Sequence, residues 1–460
     1  MVESYTFNLM KVHFIAIGGS AMHNLAIALH KKGYQVTGSD DEIFEPSKSR
    51  LKKYGLLPKN IGWNEQNITG DLDAVILGMH ARSDNPELLK AQKLKLKIYS
   101  YPEYIYEQSK NKKRIVIGGS HGKTTITSMI LHVLSSLKLN FDYMVGAQLE
   151  GFETMVKLSD APIIILEGDE YLSSPIDKRP KFHLYHPHIA VLSGIAWDHI
   201  NVFPTFENYL EQFNKFINLI EPNGTLIYSL DDKVLVETVN KNTHPIHKIG
   251  YTTPKNEIKD GITYLTEYQH IPLKIFGDHN LQNIMAAYHV CKTLAIADND
   301  FFNAIATFKG ASKRLELIAS NKQTFVFKDF AHSPSKLKAT TSAVKKQFKG
   351  FELIACMELH TFSSLNKQFL KEYKNSMALA DEAYVYYNPH TIAHKKLEYI
   401  SPEEVKNAFG SRNVTIFNNS KELFELLRNK NWDKKVLLLM SSGNFDGVNL
   451  DKFGKELIEI

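Results

Sequence analysis

The stretch Arg114-Ile-Val-Ile-Gly-Gly-Ser-His-Gly-Lys-Thr-Thr125 decides the fold of the central part of the chain. A short apolar strand runs directly into a glycine-rich loop, and a helix is expected to begin near Thr124. Glycines let the backbone turn tightly with its N–H groups aimed inward, and a helix N-terminus favours negative charge. The stretch therefore predicts a phosphate-binding loop, with Lys123 on the outer phosphates and the Thr124 hydroxyl on a magnesium ion.

The glycine spacing departs from the strict P-loop pattern. Gly118 and Gly122 enclose three residues, where that pattern has four, and position 117 is Ile. A glycine-rich turn with a surface lysine is therefore the alternative interpretation. The Gly-Lys-Thr-Thr run at a strand-to-helix junction favours the phosphate loop.

Length and composition indicate a globular protein of two to four domains. The chain has 460 residues, with 43% hydrophobic and 23% charged residues, which is ordinary for such a protein. Its net charge of +5 is small and spread along the chain. This pattern gives no sign of nucleic-acid binding, and it suits an enzyme that handles anionic nucleotides. No obligatory protein partner is evident.

The cysteines and the apolar runs indicate the cellular compartment in which the protein is expected. Cys291 and Cys356 lie far apart within apolar stretches, which predicts buried free thiols in a reducing compartment. The first ten residues lack a basic start followed by an apolar run, and no stretch approaches ~18 apolar residues. We therefore expect neither a signal peptide nor a membrane span, and a cytoplasmic protein.

A first alternating α/β domain is expected over residues 1–109. An apolar run ends in Gly18-Gly19-Ser20, a helix follows, and a second strand ends in Asp40 about 20 residues after the glycines. This order favours a dinucleotide-type fold. However, Ala16 and Ala21 stand where the fingerprint has its outer glycines, so a small apolar turn is the alternative. A third strand, ending near Met79, is followed by His80.

The central domain, expected over residues 110–318, places acids at strand ends. The apolar strand from Ala161 to Leu166 leads into Glu167-Gly-Asp-Glu170, and the next strand leads towards Asp198-His199. Carboxylates there suit magnesium, which is usually held in nucleotide sites by one or two carboxylates and the phosphates. Asp198 and His199 alone could also be a helix cap and a surface histidine. Because parallel strands end at one edge of a sheet, we expect Lys123, Glu167 and His199 to converge.

A third alternating region, over residues 319–460, predicts a Rossmann-like domain. It contains Asp329-Phe-Ala-His332 after its first strand and a glycine-rich turn after the strand that ends at Met440. The fold class is therefore α/β, with a Rossmann-like first domain, a P-loop ATPase-type central sheet and a Rossmann-like third domain.

Together, these motifs resemble those of the Mur ligases, the ATP-dependent enzymes that form amide bonds in peptidoglycan synthesis. The resemblance covers nearly the whole chain, and its matching segments occur in the family's order: Ile17-Gly-Gly19 with Gly38-Ser-Asp40, Gly119 to Thr125, Glu167-Gly-Asp-Glu170, Asp198-His199, His279-Asn280 with Asn283, Arg314-Leu-Glu316 and Asp329-Phe-Ala-His332. Within the family, the segment from Tyr171 to Tyr185 is most similar to the branch that joins a recycled tripeptide to UDP-N-acetylmuramate. The segment Glu358-Leu-His-Thr-Phe362 differs from that branch.

The resemblance implies the cofactors ATP and Mg²⁺ and a set of site residues. The implied catalytic residues are Lys123, Glu167 and His199; the ATP-binding residues are Gly119, Ser120, His121, Gly122, Lys123, Thr124, Thr125, Asn280, Asn283, Arg314, Asp329 and His332; the UDP-sugar-binding residues are Gly18, Gly19, Ser20, Asp40 and His80; and the magnesium ligands are Thr124, Glu167, Glu170 and His199.

The reaction that the resemblance implies begins with transfer of the γ-phosphoryl group of ATP to the lactyl carboxylate of UDP-N-acetylmuramate. An amine, expected to be that of L-alanyl-γ-D-glutamyl-meso-diaminopimelate, then attacks the acyl phosphate. Two alternatives stay open. One is the related ligase that adds free L-alanine, and the other is a nucleotide-binding regulator without catalysis.

Overall fold

A computed structural model describes residues 9–149, 151–197, 202–267, 270–312, 314–410 and 413–459. Three larger sheets with covering helices follow one another along the described part of the chain, as the sequence predicts, and a small fourth sheet lies between the second and the third in sequence. Asp198 and His199 lie outside the described residues, so the predicted role of His199 stays a prediction.

The first domain contains a four-stranded parallel sheet. Its elements are β1 (Lys11–Ile15), α1 (Ser20–Lys31), β2 (Gln35–Ser39), α2 (Ser47–Lys53), β3 (Ala74–Leu77), α3 (Pro86–Lys93), β4 (Ile98–Ser100) and α4 (Tyr101–Ser109). The strand order is β2-β1-β3-β4, so the loop after β1 lies beside the end of β2. Ala16 in that loop has a φ of +70°, a left-handed conformation in which glycine is normally preferred. The alanine therefore adopts the conformation that a glycine would take at this position of the fingerprint.

The central domain contains a seven-stranded sheet and a small antiparallel sheet of three strands. Its elements are β5 (Lys113–Gly118), α5 (Lys123–Ser136), β6 (Asp142–Met144), β7 (Val156–Lys157), β8 (Ile163–Glu167), β9 (Ile189–Leu192), α6 (Phe206–Asn218), β10 (Thr225–Ser229), α7 (Lys233–Lys241), β11 (His247–Tyr251), β12 (Asn256–Lys259), β13 (Ile262–Leu265), β14 (Ile271–Leu273), α8 (Asp278–Thr293) and α9 (Asp298–Ile305).

Strand β5 lies in the middle of the large sheet, between β8 and β9, and pairs with both in parallel. Its residues Ile115, Val116 and Ile117 are fully buried, which explains why this strand is an unbroken apolar run. Ile117 is the register partner of Glu167. The pairing therefore puts the acid at the end of β8 directly beside the start of the glycine loop.

The third domain contains a six-stranded sheet in the order β15-β16-β20-β17-β18-β19, in which only β15 is antiparallel. Its elements are β15 (Glu316–Ser320), β16 (Thr324–Asp329), α10 (Pro334–Gln347), β17 (Glu352–Leu359), β18 (Glu382–Tyr387), α11 (Pro389–His394), α12 (Pro402–Phe409), β19 (Val414–Phe417), α13 (Ser420–Arg428), β20 (Lys435–Met440) and α14 (Leu450–Ile458).

The predicted boundary between residues 318 and 319 falls inside β15, which pairs with β16. We therefore propose that the third domain begins before Glu316. The predicted boundary between 109 and 110 lies at the end of α4, in the short connection to β5.

Both cysteines are free and buried, as expected from the sequence. Among the described helices, none combines the length and the apolar character that a membrane crossing needs.

Candidate active site

The glycine loop between β5 and α5 has the geometry of a phosphate cradle. Gly119 and Gly122 have φ values of +115° and +77°, so both adopt backbone conformations that side chains rarely allow. Gly122 is also the N-cap residue of α5, directly before its first residue. A Cβ atom at Gly122 would overlap the side chain of Asn283, and one at Gly119 would overlap Ser193. Both positions therefore require glycine, because of the backbone conformation and because a Cβ atom would overlap a neighbouring side chain.

Lys123, the first residue of α5, points back into the loop. Its Nζ donates to the Gly119 carbonyl at 2.8 Å and forms an ion pair with Glu170 at 2.6 Å. Burial alone would lower the pKa of Lys123, but Glu170 and Asp169 outweigh burial, and its pKa is raised. The ammonium group is therefore fully charged at neutral pH and held against the glycine loop, and its role towards an outer phosphate stays a prediction.

Glu167 lies beside the loop with both carboxylate oxygens engaged. One accepts from the Thr124 hydroxyl at 2.9 Å, and the other accepts from the Gly146 N–H at 2.8 Å. A hydroxyl and a carboxylate side by side are oxygen ligands of the kind that Mg²⁺ takes together with phosphate oxygens. The described residues contain no group of three or more His, Cys, Asp or Glu that could hold a metal ion by itself. This donor set fits a magnesium ion that is bound mainly through the nucleotide.

Glu170 has a different environment from the one expected of a metal ligand. Its side chain is 2% exposed, one oxygen pairs with Lys123, and the other accepts from the Tyr209 hydroxyl at 3.3 Å. The Tyr209 hydroxyl also lies 2.9 Å from the Ser120 hydroxyl. Glu170 therefore orients Lys123 in this structure, and its magnesium role stays a prediction.

A cavity of about 310 Å³ opens from the loop towards the third domain. The cavity brings together most of the predicted ATP-binding residues: Ser120, His121, Gly122, Lys123, Thr124, Thr125, Asn280, Asn283, Arg314 and Asp329. Two predicted residues do not line it. Gly119, within the loop, lies against Ser193. The backbone carbonyl of His332 accepts from the Tyr373 hydroxyl at 2.5 Å.

The third domain supplies one wall of this nucleotide cavity. Asp329, at the end of β16, accepts from the Thr340 hydroxyl at 2.6 Å and from the Leu315 N–H at 3.1 Å. The guanidinium of Arg314 lies 4.5 Å from the ring centre of Phe330. Burial lowers the pKa of Arg314, although Asp329 and Glu167 oppose this effect. His121 of the loop reaches the Ser335 hydroxyl at 2.7 Å, so the third domain closes directly over the loop.

Several residues of the cavity were not predicted from the sequence. They are Ser193, Tyr251, Gln282, Leu315, Phe330, Ala331, Lys336, Ala339 and Thr340, with His279 beside them. Burial lowers the pKa of His279, so this imidazole is neutral at neutral pH. Lys336, Ala339 and Thr340 share one face of α10, directly after the strand that ends in Asp329. Their spacing of three and four residues, in a helix that follows directly after a strand, is the sequence pattern that could have identified them.

The predicted UDP-sugar corner forms at the end of β1 and β2. Asp40 is 4% exposed and accepts from the Gly18 N–H at 2.6 Å. Ser20, at the start of α1, lies in the same loop as Gly18 and Gly19, with its hydroxyl 3.8 Å from the Met155 sulfur. His80 is exposed in the turn after β3, and among the described residues no hydrogen bond or ion pair joins it to this corner.

A segment of the central domain connects the UDP-sugar corner with Glu167. The N–H of Gly146 binds Glu167, the side chain of Gln148 accepts from Arg50 at 2.8 Å, and the N–H of Met155 donates to Asn24 at 2.9 Å. Arg50 and Asn24 belong to the first domain. The described residues Gly146, Gln148 and Met155 therefore link the central domain both to Glu167 and to the first domain.

The buried position of Asp40 predicts a pH effect on stability. Burial raises its pKa to about 6, against the opposing Gly18 N–H and with a small addition from Asp41. The folded state thus retains this proton to a higher pH than the unfolded state, and the stability that Asp40 contributes is lost as the pH rises through about 6. We expect Asp40→Asn to raise the free energy of unfolding of the unliganded protein at pH 8 by about 1 kcal/mol.

Denaturant unfolding at pH 5.5 and pH 8 measures this effect. The stability difference between Asp40→Asn and the wild type should widen with pH, whereas Asp84→Asn, at a 70% exposed side chain, should leave the profile unchanged. An Asp40→Asn difference that is the same at both pH values would contradict the assignment.

The segment from Tyr171 to Tyr185 carries three cations, Lys178, Arg179 and Lys181, and this basic segment is largely paired within the protein. Arg179 forms ion pairs with Asp177 at 2.7 Å and with Glu103 at 3.1 Å. Lys181 pairs with Asp169 at 2.6 Å. Lys178 is exposed. Two of the three cations therefore already neutralise carboxylates of this chain.

The fold and the site define the class of protein: a multidomain enzyme in which a phosphate loop is closed over by a Rossmann-like third domain. Family models match three successive regions: the Mur ligase family, catalytic domain, at residues 11–113, the Mur ligase middle domain at 117–291, and the Mur ligase, glutamate ligase domain, at 313–443. A UDP-N-acetylmuramate–L-alanine ligase of Caldicellulosiruptor bescii is 32% identical, over 82% of this chain and 83% of that protein.

Solved structures show the same fold. The UDP-N-acetylmuramate–alanine ligase MurC of Thermotoga maritima matches with a TM-score of 0.71 at 20% identity, over 98% of each chain. A murein peptide ligase of Psychrobacter arcticus matches with a TM-score of 0.64 at 22% identity, over 98% of this chain and 99% of that one.

This chain belongs to the Mur ligase family. It is accordingly an ATP-dependent, ADP-forming ligase that uses Mg²⁺. The alternative of a nucleotide-binding regulator without catalysis finds no support in these comparisons.

Proposed function

We propose that the chain joins an amine to the lactyl carboxylate of UDP-N-acetylmuramate in an ATP-dependent reaction. The main observation behind this proposal is that one segment of the central domain contacts both candidate sites. Gly146 binds Glu167 beside the phosphate loop, and the same segment binds Arg50 and Asn24 next to the Gly18–Asp40 corner. A sugar nucleotide at that corner would present its carboxylate towards the outer phosphate held by Lys123.

Residues of this chain would stabilise the charge that develops in both chemical steps. Lys123 lies where the transferred phosphoryl group would pass, and Glu167 with Thr124 would hold the magnesium ion that neutralises the phosphates. Arg314 and Asp329 enclose the cavity from the side of the third domain. Closure of that domain would exclude water, which would otherwise hydrolyse an activated carboxylate.

For the amine, we propose the tripeptide L-alanyl-γ-D-glutamyl-meso-diaminopimelate. Support comes from the resemblance of the segment Tyr171 to Tyr185 to the tripeptide-using branch. In the structure this segment follows Glu170 directly, and Phe182 and Tyr185 are fully buried. The segment is thus anchored in the hydrophobic core through these two side chains.

Free L-alanine is the second candidate, and two observations favour it. Relatives from Caldicellulosiruptor bescii, Clostridium kluyveri and Carboxydothermus hydrogenoformans, with 27 to 33% identity, are named UDP-N-acetylmuramate–L-alanine ligases. In addition, Arg179 and Lys181 already pair with protein carboxylates, so a peptide carboxylate would have to displace those partners. The comparisons therefore support L-alanine more directly, and the segment Tyr171 to Tyr185 supports the tripeptide.

Steady-state kinetics with the two amines decides between them. We expect kcat/KM for the tripeptide to exceed that for L-alanine by about 100-fold or more, because remote contacts can fix the amine at the acyl phosphate and so raise the rate. Comparable values, or a preference for L-alanine, would assign the chain to the alanine-adding branch.

The basic segment has its own test. Arg179→Ala should lower kcat/KM for the tripeptide and leave the KM for UDP-N-acetylmuramate unchanged. Lys215→Ala, which removes a cation paired with Glu211 at 2.8 Å on α6, is the matched control. If Arg179→Ala leaves tripeptide kinetics untouched, this segment has no part in amine selection.

A further inference from the structure

A second cavity, of about 680 Å³, lies at the junction of the central and third domains. One side is formed by the small sheet β12–β14 and by Lys274 to Phe276. The other side is formed by β16 and by the end of α10 with the residues that follow it. Residues of the connection between the two domains also line the cavity: Lys309, Gly310, Ala311, Arg314 and Leu315. We call this space the hinge cavity. Its volume is in the range of small-molecule sites.

The apolar wall of the hinge cavity is aromatic and belongs to both domains. Phe276 of the central domain lies 5.8 Å from Phe348 of the third domain, measured between ring centres. Phe348 in turn lies 4.7 Å from Phe325 and 6.0 Å from Phe351. All four rings are only partly buried. Partly exposed aromatic rings grouped in this way offer a surface on which a planar ring can stack.

Cations without acidic partners surround this aromatic wall. Lys274, Lys309 and Lys349 line the cavity and are exposed, and none of them forms an ion pair with a described carboxylate. In contrast, Lys346 is neutralised by Asp278 at 2.8 Å. Asp260 is the acid that lines the cavity. The excess of positive charge favours a ligand that carries phosphate or carboxylate.

The hinge cavity shares residues with the nucleotide cavity. Thr125, Asn280, Arg314 and Leu315 line both spaces. The linker between the domains has positive φ values at Gly310 (+107°) and Leu315 (+44°), so its path is held in unusual backbone conformations. A ligand in the hinge cavity would therefore contact the residues that close the third domain over the nucleotide.

From these observations we propose that the hinge cavity is a second ligand site, which binds an aromatic ring carrying a phosphate or carboxylate group. The ring lies against Phe276, Phe325, Phe348 and Phe351, and the anion lies against Lys274, Lys309 and Lys349. Because such an anion attracts Arg314 from the opposite side, its binding weakens nucleotide binding. By thermodynamic linkage, bound nucleotide lowers the affinity for this ligand by the same factor.

Calorimetry on the full chain with 1-naphthyl phosphate, which has both a ring and an anion, tests the site. We expect saturable binding of one equivalent, at least tenfold tighter than that of inorganic phosphate. Saturating Mg²⁺ and ADP should lower the affinity for the probe by a limited factor of about three to ten. This factor should stay constant as the ADP concentration increases further. Full displacement by ADP would mean that the probe occupies the nucleotide cavity, and it would overturn the proposal.

Charge reversal locates the binding. The variant Lys274→Glu/Lys349→Glu should bind the probe at least tenfold more weakly, while its ADP affinity without probe stays within twofold of the wild type. The control Lys93→Glu/Lys97→Glu changes two exposed lysines of the first domain and should bind the probe like the wild type. Equal loss in both variants, or loss in neither, would contradict a site at the hinge.

Discussion

Lys123→Met is expected to lower the rate of ligation by about three orders of magnitude, because it removes the cation that neutralises the transferred phosphoryl group in a closed site. Binding of UDP-N-acetylmuramate should stay within threefold of the wild type, since that ligand is assigned to the corner around Gly18 and Asp40. Turnover and calorimetry measure the two quantities separately. A loss of UDP-N-acetylmuramate affinity greater than tenfold would contradict the separation of the two sites.

A second variant separates the chemistry of Lys123 from its structural role. Glu170 is buried and has Lys123 as its ion-pair partner, so Lys123→Met alone leaves a buried charge uncompensated. The double variant Lys123→Met/Glu170→Gln removes both charges and should recover most of the lost thermal stability. Its ligation rate should remain as low as that of the single variant. Recovery of activity together with stability would mean that Lys123 acts only through the fold.

Glu167→Gln is the other change with a large expected effect. The amide keeps the size of the side chain but removes the negative charge that lies beside the Thr124 hydroxyl. We expect kcat to fall by about 100-fold and the Mg²⁺ concentration for half-maximal activity to rise about tenfold, because a carboxylate binds this cation far better than an amide does. A magnesium titration of turnover measures both.

Glu170→Gln is the matched control for Glu167→Gln, because the two acids are close in sequence but contact different groups. Glu170 orients Lys123 through its ion pair, so its replacement should lower kcat and leave the magnesium dependence unchanged. The opposite result, with the magnesium dependence moved by Glu170→Gln alone, would make Glu170 the main ligand.

The positions of Lys123 and Glu167 could be predicted because they follow from local patterns and one topological rule. The strand, glycine loop and helix are adjacent in sequence, and parallel pairing of β5 with β8 brings Glu167 to the same edge. Arg314 and Asp329 were inferred only from the family resemblance. The structure brings both to the wall of the nucleotide cavity.

Contacts between distant side chains could not be predicted in this way. Tyr209 belongs to an aromatic stripe that helical periodicity assigns to the core, and only the tertiary structure shows that its hydroxyl reaches Glu170 and Ser120. Likewise, the sequence does not show that Glu103 of the first domain lies beside Arg179 and pairs with it. The boundary inside β15 has the same cause, since this strand is defined by its pairing with β16.

The most direct test of the account is the release of ADP and phosphate from ATP by the purified chain, with and without UDP-N-acetylmuramate and with each of the two amines. The account predicts that release requires Mg²⁺, UDP-N-acetylmuramate and an amine together, with one amide bond formed per ATP consumed. Release that does not depend on UDP-N-acetylmuramate, or that produces no amide product with either amine, would contradict the proposed reaction.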